Sequence, residues 1–177
     1  MPITAARALT IDPLEQCRRK SAMPKRWLGI VVSSNGVTAV DAEVPPTGPI
    51  TIQADHSWRL QTGDRGEAYA VMHRQIKEYV SESKIDRVVV KESAVSLAGT
   101  TKAHLHSAEL RGVVLCASAA VTNTKVISKA NISRNFGNRK VDEYLGDDGF
   151  WAKKTTGKLR SGSREAAMML LAARKAE

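Results

Sequence analysis

Cysteine is scarce in this 177-residue chain: Cys17 and Cys116 are the only two, and they lie far apart. No zinc spacing and no disulfide framework can be built from such a pair, so a reducing, cytoplasmic setting is expected. Aromatic residues are few, at 5% of the chain, which limits any surface built on stacking against bases. No apolar run approaches the roughly 18 residues that a membrane span needs. Asp12 and Glu15 stand where a secretory signal would require an apolar stretch. Repeats and low-complexity tracts are absent as well. Acidic residues are outnumbered, 18 Asp and Glu against 27 Lys and Arg, for a formal charge of +9. A basic excess of this kind favours polyanionic partners, nucleic acid ahead of an acidic membrane surface. The length suits one domain with a sizeable core and a short appended tail.

What is present is organised around residues 86–120. Arg87-Val88-Val89-Val90-Lys91 is a β-branched apolar run that predicts a strand buried on both faces. Glu92 stands at its C-terminal end. Gly99, Thr100 and Thr101 then predict a turn and a helix start. Leu105, Ala108, Gly112, Leu115, Cys116 and Ala119 recur at helical spacing and predict the face laid on a sheet. Gly112 in mid-helix costs about 1 kcal/mol against Ala, which predicts a close approach of helix and strand backbones there. The strand would deliver one acid to the C-terminal edge of an open α/β sheet, where such sheets place ligands.

Residues 1–25 read as an extension with a short helix starting at Asp12-Pro13-Leu14-Glu15. Residues 27–32 predict a first strand, Asn35-Gly36 a hairpin turn, and residues 37–43 and 50–60 two further antiparallel strands. Asp64 and Glu67 cap a helix over 65–83 whose stripe is Tyr69, Met72, Ile76 and Val80. Residues 125–128 form a fifth strand and 141–145 a short helix. Residues 146–162, with four glycines and little periodicity, predict a mobile basic loop. A last helix near 163–175 carries Ala166, Met169, Leu170 and Ala173 on one face. From Lys125 onward, twelve Lys and Arg face six Asp and Glu, so most of the positive excess lies in the C-terminal part.

Three hairpin strands, then helix, strand, helix, strand and helix, is an order that resembles the ribonuclease H-like fold. KAHLHSAELRGVVLCASAA, with Leu110-Arg111-Gly112-Val113, resembles a helix of the RuvC family of Holliday-junction resolvases. VISKANISRNFGNRKVDEYL resembles the RuvC stretch from the fifth strand through a basic turn to a lysine-led helix. The chain also looks like a bacterial RuvC-like family of similar size and unassigned function. The resemblance spans about residues 27–175 and implies a mixed α/β domain over 26–177 with a five-stranded sheet, the Val88 strand at its centre.

Nucleases of this fold hold two divalent cations on acids from the first strand, the end of the central strand and the final helix. In-line displacement at phosphate places negative charge on the attacking and leaving oxygens, and two cations clamp both. Carried over by residue, the resemblance gives Glu92 as the central-strand acid and metal ligand. Glu165 is the candidate on the last helix; its charge equally suits the positive end of a helix dipole. Val31 falls on the first-strand position and cannot ligate a metal. Asp41 and Asp55, on neighbouring strands, are candidate substitutes, although solvated strand edges explain them more simply. His104 and His106 point to different helix faces and form no metal pair. At most one weak magnesium site is implied, with little or no cleavage. Arg134, Arg139, Lys140, Lys153, Lys154, Lys158 and Arg160 are the candidate phosphate contacts, gathered beside the active edge. Trp151 and Phe136 could stack on unpaired bases. The expected partner is nucleic acid, DNA ahead of RNA, with a homodimer as a further option and no membrane. An active structure-selective endonuclease and a protein-binding scaffold are the rival readings.

Overall fold

The computed structural model describes residues 24–93, 99–136 and 139–175, so the helix expected near Asp12 lies outside the described residues. Six strands form one mixed sheet: β1 (Lys25–Ser33), β2 (Gly36–Val44), β3 (Ile50–Arg59), β4 (Arg87–Lys91), β5 (Asn123–Ile127) and β6 (Thr155–Thr156). Their order across the sheet is β5-β4-β1-β2-β3-β6. The first three are antiparallel neighbours, and β4 and β5 run parallel to β1. The helices are α1 (Arg65–Glu82), α2 (Lys102–Ala119), α3 (Lys129–Phe136), α4 (Val141–Leu145), α5 (Asp148–Lys154) and α6 (Arg164–Lys175).

Strand alternation divides the core into two layers. On one face Leu28, Ile30, Val88 and Val90 pack with Met72, Ile76 and Val80 of α1 and Leu110, Val114 and Ala117 of α2. On the other face Trp27, Val40, Ala42 and Val89 pack with α6 and with Ile132, Val141, Tyr144 and Trp151 from α3–α5. The triple valine of β4 is thus buried on both faces, as its unbroken apolar run requires. All residues of α6 from Ala166 to Ala173 are buried, rather than one stripe, because the short helices cover the side turned away from the sheet.

Four expectations change. The sheet has six strands: Thr155-Thr156 pairs in parallel with Ile50 and Thr51, and a two-residue strand leaves no periodic signal. β4 is interior, between β1 and β5, while β1 and β2 hold the middle. Residues 146–162 contain α5, β6 and a 3-10 turn at Ser161–Ser163, anchored by Trp151 at 3% exposure. The buried face of α2 is Leu110, Val114, Ala117 and Ser118, with Leu105 54% exposed and Cys116 exposed. Both sets have helical spacing. Each set has two branched side chains, and the face that meets Val88, Val90 and the α1 residues Met72, Ile76 and Val80 is that of Leu110, Val114 and Ala117, where apolar area is buried on both sides.

The glycine reading moves with that rotation. A Cβ on Gly112 would meet nothing within 4 Å, whereas one on Gly29 would lie 2.2 Å from the Ala166 carbonyl oxygen. The close approach of helix to strand is therefore at Gly29, where α6 crosses β1.

Candidate functional site at the sheet edge

Gly29 also places the site. Val31 lies two residues on, so it shares the face of β1 turned to α6, and it packs on that core. In the parallel register Ile30 aligns with Val90, which puts Val31 and Lys91 next in line. Lys91 continues the alternation from Val89 and reaches α6: its Nζ is 2.6 Å from Oε1 of Glu165, the two side chains 24% and 21% exposed. Glu165 lies in the first turn of α6, immediately before the residue that covers Gly29. The α6 side of this edge thus presents methyl groups, an ammonium and one carboxylate.

Glu92 follows the last residue of β4, its N–H donating to the Ile127 carbonyl at 2.9 Å. Glu92 makes no ion pair with a described residue; the neighbouring Lys91 turns to Glu165. Val32, Lys91, Glu92, Ser93, His104 and Ser107 line an open cleft of about 260 Å³. His104 serves the start of α2: its Nδ1 accepts from the Thr101 N–H at 3.2 Å, and its own N–H donates to Thr101 Oγ1 at 3.3 Å. No three His, Cys, Asp or Glu side chains among the described residues gather so as to hold a metal ion.

Further cations reach this edge. Lys129, at the start of α3, donates to both oxygens of Asp142 at 2.8 and 2.9 Å. That bond holds the Asp142 carboxyl below the usual carboxylate range, with Lys91 and Lys140 adding to the effect. Three ammonium groups therefore act on Asp142, and one of them, Lys91, also holds Glu165. Sequence reasoning missed Lys91 and Lys129. The period-2 alternation through Val89 carried a signal for Lys91, since it turns Lys91 to the side opposite Val90.

The seven candidate phosphate contacts divide. Arg139 is engaged by Glu143 and Asp147 and lies over the Tyr144 ring. Arg160 is engaged by Asp55 at 2.5 Å. Arg134, Lys140, Lys153, Lys154 and Lys158 are exposed and form no ion pair with a described residue. Nor are the seven gathered beside Glu92. Strands β1, β3 and β4 run the same way, and β6 pairs with the first residues of β3. Lys153 and Lys154, just before β6, therefore lie toward the opposite end of the sheet. The expected stacking aromatics are also committed. Trp151 is buried and donates its indole N–H to the Tyr144 carbonyl at 2.8 Å. Phe136 packs on Tyr144 and Phe150, with the Lys175 ammonium over its ring.

Neither substitute acid reaches the edge. Asp41 is fully buried and takes a forked pair of hydrogen bonds from Arg26, at 2.9 and 2.7 Å, and one from the Tyr79 hydroxyl at 2.7 Å. Burial first, then the bond to Asp41, pushes the Tyr79 hydroxyl up to about 12. Asp55 lies beneath Arg160 and Ser163. Burial would raise its carboxyl, but the bonds from those two residues outweigh it and hold the group below its ordinary value.

A mixed sheet with three leading antiparallel strands, parallel β4 and β5, and helices on both faces defines the ribonuclease H-like fold in its RuvC form. RuvC of T. thermophilus in complex with a Holliday junction substrate superposes with a TM-score of 0.67 at 14% identity, over 85% of this chain and 94% of that one. A second Thermus thermophilus RuvC structure gives the same score and identity over 85% and 95%. The yeast mitochondrial Holliday junction resolvase gives 0.61 at 12%, over 94% and 86%. Likeness at such identities is likeness of fold. No protein-family model and no curated protein matches the sequence, so the nearer bacterial family gains no support beyond the fold. No helix among the described residues is long and apolar enough to cross a membrane.

Proposed function

We propose that this protein binds nucleic acid, DNA ahead of RNA, on the RuvC-type fold, and cleaves it slowly or not at all. The observation that carries the reading is the fold itself, shared with a RuvC whose structure holds a Holliday junction substrate, combined with five exposed C-terminal cations that form no ion pair with a described residue. Cations of that kind neutralise phosphates and release counterions, whatever the base sequence.

The catalytic half of the proposal rests on the sheet edge. Magnesium takes carboxylate and water oxygens in a near-ideal octahedron. Val31 offers no oxygen, and the Glu165 carboxylate is already met by the Lys91 ammonium. Glu92 is left without an ion pair to any described residue. These residues do not fit a pair of divalent cations. Without the clamp on attacking and leaving oxygens a term of several kcal/mol is lost, and each 1.4 kcal/mol or so is tenfold in rate.

The test is fluorescence anisotropy on a labelled four-way junction, with duplex and single-stranded DNA and RNA in parallel. Log affinity should fall with log salt by about 0.9 for each duplex phosphate contacted. Replacing Lys140, Lys153, Lys154 and Lys158 by Ala should weaken binding and flatten that slope together. Unchanged affinity in this variant would favour a protein-binding scaffold. The same substrates with magnesium or manganese should stay intact, and Val31→Asp should at most restore a trace of cleavage. Robust cleavage abolished by Glu92→Gln would overturn the catalytic half.

A further inference from the structure

The lysine at the sheet edge does more than break a metal site. We infer that Lys91 stands where this fold would otherwise carry a divalent cation, and that its ammonium, joined to Glu165, takes a phosphate of the bound nucleic-acid backbone. The inference rests on the nucleic-acid reading above and names a contact within it.

Four observations converge. Lys91 projects from the C-terminal end of an interior strand, beside Val31 in register and on the same side. That is the edge where open α/β sheets place ligands. Its Nζ touches one carboxylate oxygen, and an ammonium has three N–H donors, so two remain for a second anion. The side chain is 24% exposed, so solvent and an incoming anion reach it on the α6 face, while the open cleft that Lys91 helps to line lies toward Val32, His104 and Ser107 on the other face. Finally, Lys91 pairs with Glu165 and Lys129 with Asp142, so each of these two acids already has a cation from the chain. A metal-dependent edge needs bound ions to offset its carboxylates before a phosphate can approach; here the chain carries those cations itself. The ammonium is a point charge rather than a Lewis acid of octahedral geometry. It can hold a phosphate oxygen, but it cannot supply a metal-bound nucleophile.

The experiment uses the full chain and the labelled four-way junction, with anisotropy read in EDTA and in millimolar magnesium. Wild type is expected to bind equally in both. Lys91→Ala should weaken binding about tenfold in EDTA and lower the duplex salt slope by about 0.9, the share of one phosphate contact. Magnesium should restore part of that loss, because Glu165 is then free to hold a cation. Glu165→Gln keeps the ammonium and removes a negative charge near the phosphate, so it should tighten binding; at a true metal site it would weaken magnesium-dependent binding. Thermal melts of both variants check the fold, and Glu165→Gln decides the matter if Lys91→Ala does not fold. Wild-type binding with Lys91→Ala unchanged would overturn this inference and leave the nucleic-acid reading standing. Binding that requires magnesium in the wild type would overturn it too. No binding of any probe by the wild type would remove both.

Discussion

Two glycine-to-alanine substitutions should shift stability in opposite directions. At Gly29 the added Cβ would sit 2.2 Å from the Ala166 carbonyl oxygen and 3.0 Å from its carbon, where ordinary contact begins at 3.4 Å. The obstacle is helix backbone, so no rotamer change relieves it, and α6 must retreat by about 1 Å. A gap of that size forfeits roughly a quarter to a half of each dispersion contact along the interface. With α6 buried from Ala166 to Ala173, the cost belongs at the top of the overpacking range, about 3 kcal/mol. At roughly 2–4 °C per kcal/mol for a chain of this size, Tm should fall by about 6–12 °C. Gly112 is the opposite case. Its Cβ would meet nothing within 4 Å, and a solvent-facing helical glycine gives up about 1 kcal/mol to Ala, so Tm should rise by about 2–4 °C. Thermal melts with urea titrations of the two variants measure both signs. A neutral Gly29→Ala, or a Gly112→Ala that destabilises, would refute the placement of α6 on β1 and of α2 on the opposite face.

Two further outcomes follow from the buried acids. Asp41→Ala strands the Arg26 guanidinium and the Tyr79 hydroxyl; it should cost about 3 kcal/mol, the low end for a broken buried pair because Arg26 retains partial access to water, read as a lower urea midpoint. Asp55 has its carboxyl held below the ordinary value in the folded state. Its contribution is therefore complete above the unfolded pKa, near 3.9, and is lost as pH falls through the folded pKa. Urea midpoints from neutral pH down to about pH 3 should show an acid limb that Asp55→Asn makes shallower, and an unaltered limb would show that the Arg160 and Ser163 bonds carry no net stability.

Local chemistry in the chain determined most of the elements. The turn residues at 33–36 between two apolar runs specify the first hairpin, although the loop is Ser34-Asn35 and Gly36 already pairs with Ser33; Asp64 caps α1 through the Glu67 N–H at 2.9 Å, as its spacing to the apolar stripe requires. The β-branched run at Val88 could only be a strand with both faces covered. Glu92 at the end of that strand was equally legible, because it depends only on where the run stops. Tertiary structure alone decided which of two helical faces of α2 was buried, since both have the right period and the choice depends on what the sheet offers them. It also decided that Gly29 is the point of close approach, a property of two backbones that meet through folding. The basic residues look like one cluster along the chain, but β6 returns to the far end of β3 and carries Lys153 and Lys154 away from the edge. Charge pairing was the least legible of all. Lys91 neighbours Glu92 in sequence yet bonds Glu165, because adjacent residues in a strand point to opposite faces, and only the packing of α6 brings an acid to the face Lys91 occupies.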